Sequence, residues 1–168
     1  ITIPKNRREM LKSEYAKEFK IAEGIELRTL DKQETIAIVD HDEPKEKKIR
    51  TRFVYDIKTD QDGKIKRFKA RLVVLGYQQT RDQYEETFAS VANWTTIFMM
   101  LVIACEYRMD MYSVDFKGAY LHAKRPAHLP VYLQNIPGIE VPPGKSIYLN
   151  KSLYGLVDAG NLWRKEVH

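Results

Sequence analysis

Asp115 ends an apolar run, Tyr112-Ser113-Val114, and leads into Phe116-Lys117-Gly118-Ala119 and then Tyr120-Leu121. A carboxylate delivered by a strand end can hold a divalent ion, and free amides in the turn just after it can meet a triphosphate. An Asp ahead of a turn is also an ordinary turn former, so this stretch alone leaves both roles open. Further on, Lys151-Ser152-Leu153-Tyr154-Gly155-Leu156 offers a second aromatic beside a glycine. No histidine (His41, His122, His128 or His168) stands at zinc-type spacing from Cys105, and the four read as surface residues.

A second group of chemistry-bearing residues is cationic. From residue 45 to residue 71, eleven Lys or Arg stand against four Asp or Glu, a surplus of seven in a chain whose net charge is +5. Such a concentration favours a polyanion, because neutralised phosphates release counterions. Residues 52–74 read as a β-hairpin around Asp60-Gln61-Asp62-Gly63. Alternation in its second arm puts Phe68, Ala70, Leu72 and Val74 on one face and Arg67, Lys69 and Arg71 on the other. Lys64, Lys66 and Arg67 are the expected nucleic-acid contacts. The competing reading is an exposed hairpin kept soluble by its charges.

The elements that must position these groups follow from periodicity. Residues 8–22 read as an amphipathic helix ending at Gly24, and residues 36–39 as a short strand. A charged turn around Pro44 spans residues 41–48. Asn93 or Thr95 can cap a helix whose stripe of Ile97, Met100, Leu101, Ala104 and Cys105 is expected in the core, with Cys105 a buried thiol. Residues 109–115 read as a strand, followed by a turn and a short helix to His122. Further strands are expected at 131–133 and 147–149, and a helix from residue 153 to 164.

With 168 residues the chain can bury one core but hardly two. A lone cysteine excludes an internal disulfide. The longest apolar run, residues 97–105, is too short to span a bilayer, and no secretory leader pattern is present. The expectation is an intracellular protein without a membrane partner.

Read in order, the motifs resemble the reverse transcriptase of copia-type (Ty1/copia) retrotransposons. They are Arg52-Phe53-Val54-Tyr55, Asp60 to Gly63, Lys69-Ala70-Arg71-Leu72-Val73 and Gly76-Tyr77-Gln78-Gln79. Glu86-Thr87-Phe88-Ala89-Ser90-Val91, Asp115 to Leu121 and Ser152 to Leu156 complete the series. The resemblance runs from about Glu14 to Trp163. It implies an α+β fold, the fingers and partial palm of a right-hand polymerase with an antiparallel sheet. Residues 25–105 would be fingers-like and residues 106–168 the start of the palm.

The resemblance also assigns roles. Asp115 would be the catalytic carboxylate that binds Mg²⁺ or Mn²⁺. Lys58, Lys69 and Arg71 would hold the β- and γ-phosphates of a deoxynucleoside triphosphate, with the choice between Lys69 and Arg71 left open. Gly118 and Ala119 would offer amides, and Tyr120 would exclude a ribose by bulk. Tyr154 and Gly155 would touch the nucleotide and the template base. Partners would be an RNA or DNA template-primer and the remaining palm, thumb and RNase H regions of a polyprotein.

The family's further carboxylates come from a Tyr-x-Asp-Asp hairpin. No adjacent Asp pair occurs here, so the resemblance implies a portion of a polymerase, inactive alone. Where the family has KQAPRAW, this chain has Val157-Asp158-Ala159-Gly160-Asn161-Leu162-Trp163, with an acid in place of a neutral amide. Those departures fit a decaying copy. The alternatives are a non-catalytic nucleic-acid-binding module or a degenerate remnant.

Overall fold

The computed structural model describes residues 2–40 and 47–167, so the centre of the charged turn around Pro44 lies outside the described residues. Two small antiparallel sheets and a long helix make an α+β architecture. The first sheet is the expected hairpin. Strands β2 (Thr51–Thr59) and β3 (Ile65–Val74) pair in register from Thr51 opposite Val74 to Lys58 opposite Arg67. Its turn is built by Asp60, whose Oδ1 accepts the amides of Asp62 at 3.0 Å and Lys64 at 2.8 Å. Gly63 supplies the positive φ of 78° that closes it.

The apolar face of the hairpin is covered by helix α2 (Ala16–Lys32), which follows a short α1 (Arg7–Met10). Phe19 lies at the centre, 5.1 Å from the rings of both Tyr55 and Phe68. The expectation of one helix over residues 8–22 needs correction. The chain breaks between α1 and α2, and α2 runs on through Gly24 to Lys32. A mid-helix glycine costs only about 1 kcal/mol, which burial of Leu30 on the same face outweighs. Glu23 is also buried on this face. It accepts from the Tyr55 hydroxyl at 2.6 Å and pairs with Arg7 at 3.1 Å.

The second sheet has the order β1 (Ile36–Asp40), β5 (Lys145–Leu149), β4 (Tyr132–Leu133), all antiparallel. Ile49, Leu133, Ile147, Leu149 and Leu153 bury their side chains almost completely and belong to the same core as Phe19 and Leu72. Helix α4 (Ala159–Val167) begins later than the expected residue 153, because Gly155 takes a φ of 91° that interrupts a helix.

Two expectations fail in the middle of the chain. Helix α3 (Trp94–Glu106) forms, and the Asn93 side chain caps it by accepting the Thr95 amide at 2.9 Å. Its apolar stripe is not core. Met100 is 59 % exposed and Leu101 40 %, Cys105 is exposed, and Ala104 alone in the helix is buried. Periodicity identifies an apolar face but not what covers it, and nothing among the described residues does. Residues 109–115 form no strand either. A strand needs a ladder partner, and among the described residues neither sheet pairs with this segment.

Candidate functional site

The outer edge of β3, the flank of α2 and the turn after Asp115 enclose a cavity of about 450 Å³. Arg67, Lys69 and Arg71 enter it from β3, Glu26 from α2, and Asp115, Lys117 and Gly118 from the turn. Tyr154 joins them from the loop before α4. Each group arrives for a local reason. Alternation along β3 turns Phe68, Ala70 and Leu72 into the core, which leaves the cations on the other face. Gly118 holds a left-handed φ of 66°, where a Cβ would meet Leu121 Cδ1 at 3.3 Å; the Leu121 amide donates to its carbonyl at 2.8 Å. That reversal starts the 3-10 turn Ala119–His122. Phe116, next to Asp115, is set by the edge of the Trp163 ring at 5.2 Å.

The electrostatics of the cleft are those of crowded cations with one acid among them. Burial holds the Lys69 ammonium below the ordinary lysine range, and Arg71, Arg67 and Lys58 push the same way, while Glu26 opposes them. The Glu26 carboxyl is pushed up by burial, against the pull of the Leu72 amide, Arg71 and Lys69. Its Oε1 accepts from the Leu72 amide at 3.1 Å. Arg71 places its guanidinium 5.3 Å from the centre of the Tyr154 ring. Burial is also the chief cause of the raised Tyr154 hydroxyl.

The structure brings Asp115, Lys69, Arg71, Gly118 and Tyr154 to one cavity, together with Arg67. It does not bring Lys58, which is exposed and bonds Asp56 at 2.6 Å. Lys64 and Lys66 are exposed at the hairpin end, away from the cavity lining. Ala119 and Tyr120 stand just beyond the lining, and the Tyr120 ring meets Tyr154 edge-on at 5.4 Å. Gly155 has a backbone role that accounts for it by itself. A Cβ there would come within 2.1 Å of the Val74 carbonyl oxygen, beside the Val74 amide that donates to Tyr154 O at 2.8 Å.

Glu26, Lys117 and Asp56 carry charge in or beside the site and were not singled out from the sequence. Asp56 sits opposite Lys69 in the ladder and offsets part of the cationic row. The signal for Glu26 was available: it follows Ala22 by four residues and precedes Leu30 by four, a carboxylate on the packed side of an amphipathic helix.

Asp115 is exposed, and among the described residues its carboxylate has no hydrogen-bond or ion-pair partner. A free carboxylate is a hard oxygen ligand of the kind Mg²⁺ takes. It supplies one ligand only, since no group of three or more His, Cys, Asp or Glu among the described residues can hold a metal ion.

The family described as reverse transcriptase (RNA-dependent DNA polymerase) matches residues 33–168. The chain is 32% identical over 164 residues to the retrovirus-related Pol polyprotein from transposon TNT 1-94 of Nicotiana tabacum, covering 95% of the chain and 12% of that polyprotein. It is 33% identical over 119 residues to the Pol polyprotein from transposon RE1 of Arabidopsis thaliana, covering 69% of the chain and 8% of the relative. The corresponding polyprotein from transposon RE2 of Arabidopsis thaliana is 32% identical over 119 residues, with 69% of the chain and 8% of the relative covered. No solved structure matches the chain.

Proposed function

The chain belongs to the reverse transcriptase (RNA-dependent DNA polymerase) family, in the form carried by copia-type retrotransposons, and from that membership we propose that its cleft is the nucleotide side of a polymerase site. Residues 25–105 serve as fingers and residues 106–168 as the start of the palm. The observation that carries the reading is convergence. Lys69 and Arg71 from the hairpin, Asp115 and Gly118 from the turn, and Tyr154 from a third segment line the same 450 Å³ cavity.

The substrate is a deoxynucleoside triphosphate. Its phosphates meet Lys69 and Arg71, where a planar guanidinium can take two oxygens at once. Burial and then the neighbouring cations hold the Lys69 proton affinity down, and phosphate charge offsets both, so bound triphosphate and protonated Lys69 favour each other. The turn at Gly118 and Ala119 faces the same charge, and Tyr120 limits the space beside the sugar.

A divalent ion, Mg²⁺ or Mn²⁺, neutralises the transferring phosphoryl group when bound. Asp115 is the ligand this chain contributes. The template-primer runs over the exposed cations Lys64, Lys66 and Arg67. The rest of the polyprotein supplies the other carboxylates and the thumb.

Calorimetric titration with dATP and Mg²⁺ tests the cleft. Asp115→Asn should lower the Mg²⁺-dependent part of the affinity, while its thermal midpoint stays that of the wild type, since the exposed Asp115 carboxylate makes no hydrogen bond or ion pair among the described residues. A wild-type chain with no affinity for dATP, or an Asp115→Asn variant that is unstable and unchanged in binding, would return Asp115 to a turn former.

A further inference from the structure

Arg125 and Asp158 form an ion pair with side-chain exposures of 1% and 3%. Arg125 Nη1 donates to both carboxylate oxygens, at 3.1 and 3.0 Å. Nη2 donates to the backbone carbonyl of Gln83 at 2.8 Å and to that of Leu129 at 3.5 Å. Removing both charges from water is costly, and such a pair holds only when geometry and extra hydrogen bonds compensate. Three segments therefore depend on one guanidinium.

Those segments matter for where they lead. Arg125 follows Tyr120 on the turn that begins at Asp115, and Asp158 follows Tyr154 on the loop into α4. Between the two partners, the Ser152 amide donates to Ala123 O at 2.8 Å and the Arg125 amide to Asn150 O at 3.0 Å. At the far end of the same seam, Tyr120 meets Tyr154 at 5.4 Å and Tyr154 meets Arg71. Each member of the ion pair thus lies on the segment that carries one of the two rings.

We infer that Arg125 and Asp158 are positioning residues for the cleft: the buried pair locks the loop carrying Tyr154 to the turn carrying Tyr120 and Asp115. In calling the cleft a nucleotide site the inference rests on the function proposed above. It also gives the acid at position 158 a purpose. The related motif carries a neutral amide there, which would leave Arg125 charged, buried and unbalanced. Asp158 is half of a matched pair rather than a mark of erosion.

The test uses the 168-residue chain and three measurements on Asp158→Asn, a substitution of equal shape. These are nuclear Overhauser contacts between the Tyr120 and Tyr154 rings, affinity for dATP with Mg²⁺, and affinity for a single-stranded RNA oligonucleotide. The expected result is loss of the ring contacts and about tenfold weaker dATP binding, with RNA affinity and far-ultraviolet dichroism unchanged. Intact ring contacts and wild-type dATP affinity would overturn the inference. So would an equal loss of dATP and RNA affinity with the dichroism unchanged, which marks a pair with no particular bearing on the cleft.

Should Asp158→Asn not fold, Arg125→Lys keeps the charge while giving up the second nitrogen on Gln83, and the same outcomes decide. A wild-type chain that binds no dATP would sink the nucleotide reading alone. The ring contacts would then still judge the pair.

Discussion

The guanidinium of Arg71 stands 5.3 Å from the centre of the Tyr154 ring, so a cation from the hairpin and an aromatic from the loop before α4 meet across the cleft. Arg71 is exposed and Tyr154 half-buried, which makes the ring a support and the cation the ligand-facing group. Arg71→Ala should weaken triphosphate binding by about 1.5–3 kcal/mol, the range for a hydrogen bond to a charged group. Tyr154→Leu should cost about 0.5–1 kcal/mol through loss of the cation–π contact. Titration of both variants with dATP and Mg²⁺ gives the ranking. The reverse order would make the ring itself a nucleotide contact.

Glu26 should impose a pH dependence of a definite sign. Its folded pKa lies above the ordinary 4.5, chiefly because it is buried. Between those two values the folded state holds more proton than the unfolded state, so this group's contribution to stability grows as pH falls. Glu26→Gln keeps an oxygen for the Leu72 amide and removes the buried charge. The variant should melt higher than wild type at neutral pH, and the gap should close as pH falls through the raised folded value to about 4.5, then stay closed. A gap that widens on acidification would mean that attraction to Lys69 and Arg71 outweighs burial.

Lys64, Lys66 and Arg67 should act on nucleic acid as charges, without sequence preference. All three are exposed. Changing them together to Gln should reduce the slope of log affinity against log salt for single-stranded RNA by about 2, from roughly 0.7 per phosphate contact. An unchanged slope, measured by fluorescence anisotropy over several salt concentrations, would place the polyanion elsewhere.

Tyr120 should act by bulk. In a polyprotein polymerase that contains this segment, Tyr120→Ala should raise ribonucleotide incorporation far more than it changes deoxynucleotide incorporation. Tyr120→Phe should keep the discrimination, since the clash is with the ring. Single-turnover rates with paired dNTP and rNTP substrates separate the cases. Because the ring also touches Tyr154, equal loss with both substrates would reveal a supporting role instead.

The hairpin was legible because its signals are local. Asp60 and Gly63 make the turn, and alternation sorts Phe68 and Ala70 from Lys69 and Arg71 within one strand. Asp115 and Tyr154 could be singled out by motif order, but their shared cavity is a product of tertiary folding. Illegible features depended on a partner far away in sequence. The face of α3 is apolar in sequence and uncovered in space, and residues 109–115 have strand-like composition without a strand to pair with. Arg125 and Asp158 are ordinary charged residues until the fold buries them against each other. Glu26 showed a helical pattern, yet its ligand is the amide of Leu72, 46 residues on.

That Glu26–Leu72 hydrogen bond has a consequence for how copies of the chain meet. A two-stranded sheet leaves a row of open amides on its outer side, a template onto which another strand can add. On β3 that row runs beside the cleft, and Glu26 already occupies the Leu72 amide. A helical side chain at Leu72 and the Tyr154 carbonyl at Val74 therefore cap one end of the ladder. A substitution such as Glu26→Ala would free the Leu72 amide and lengthen the open part of the hairpin edge available for intermolecular β-pairing.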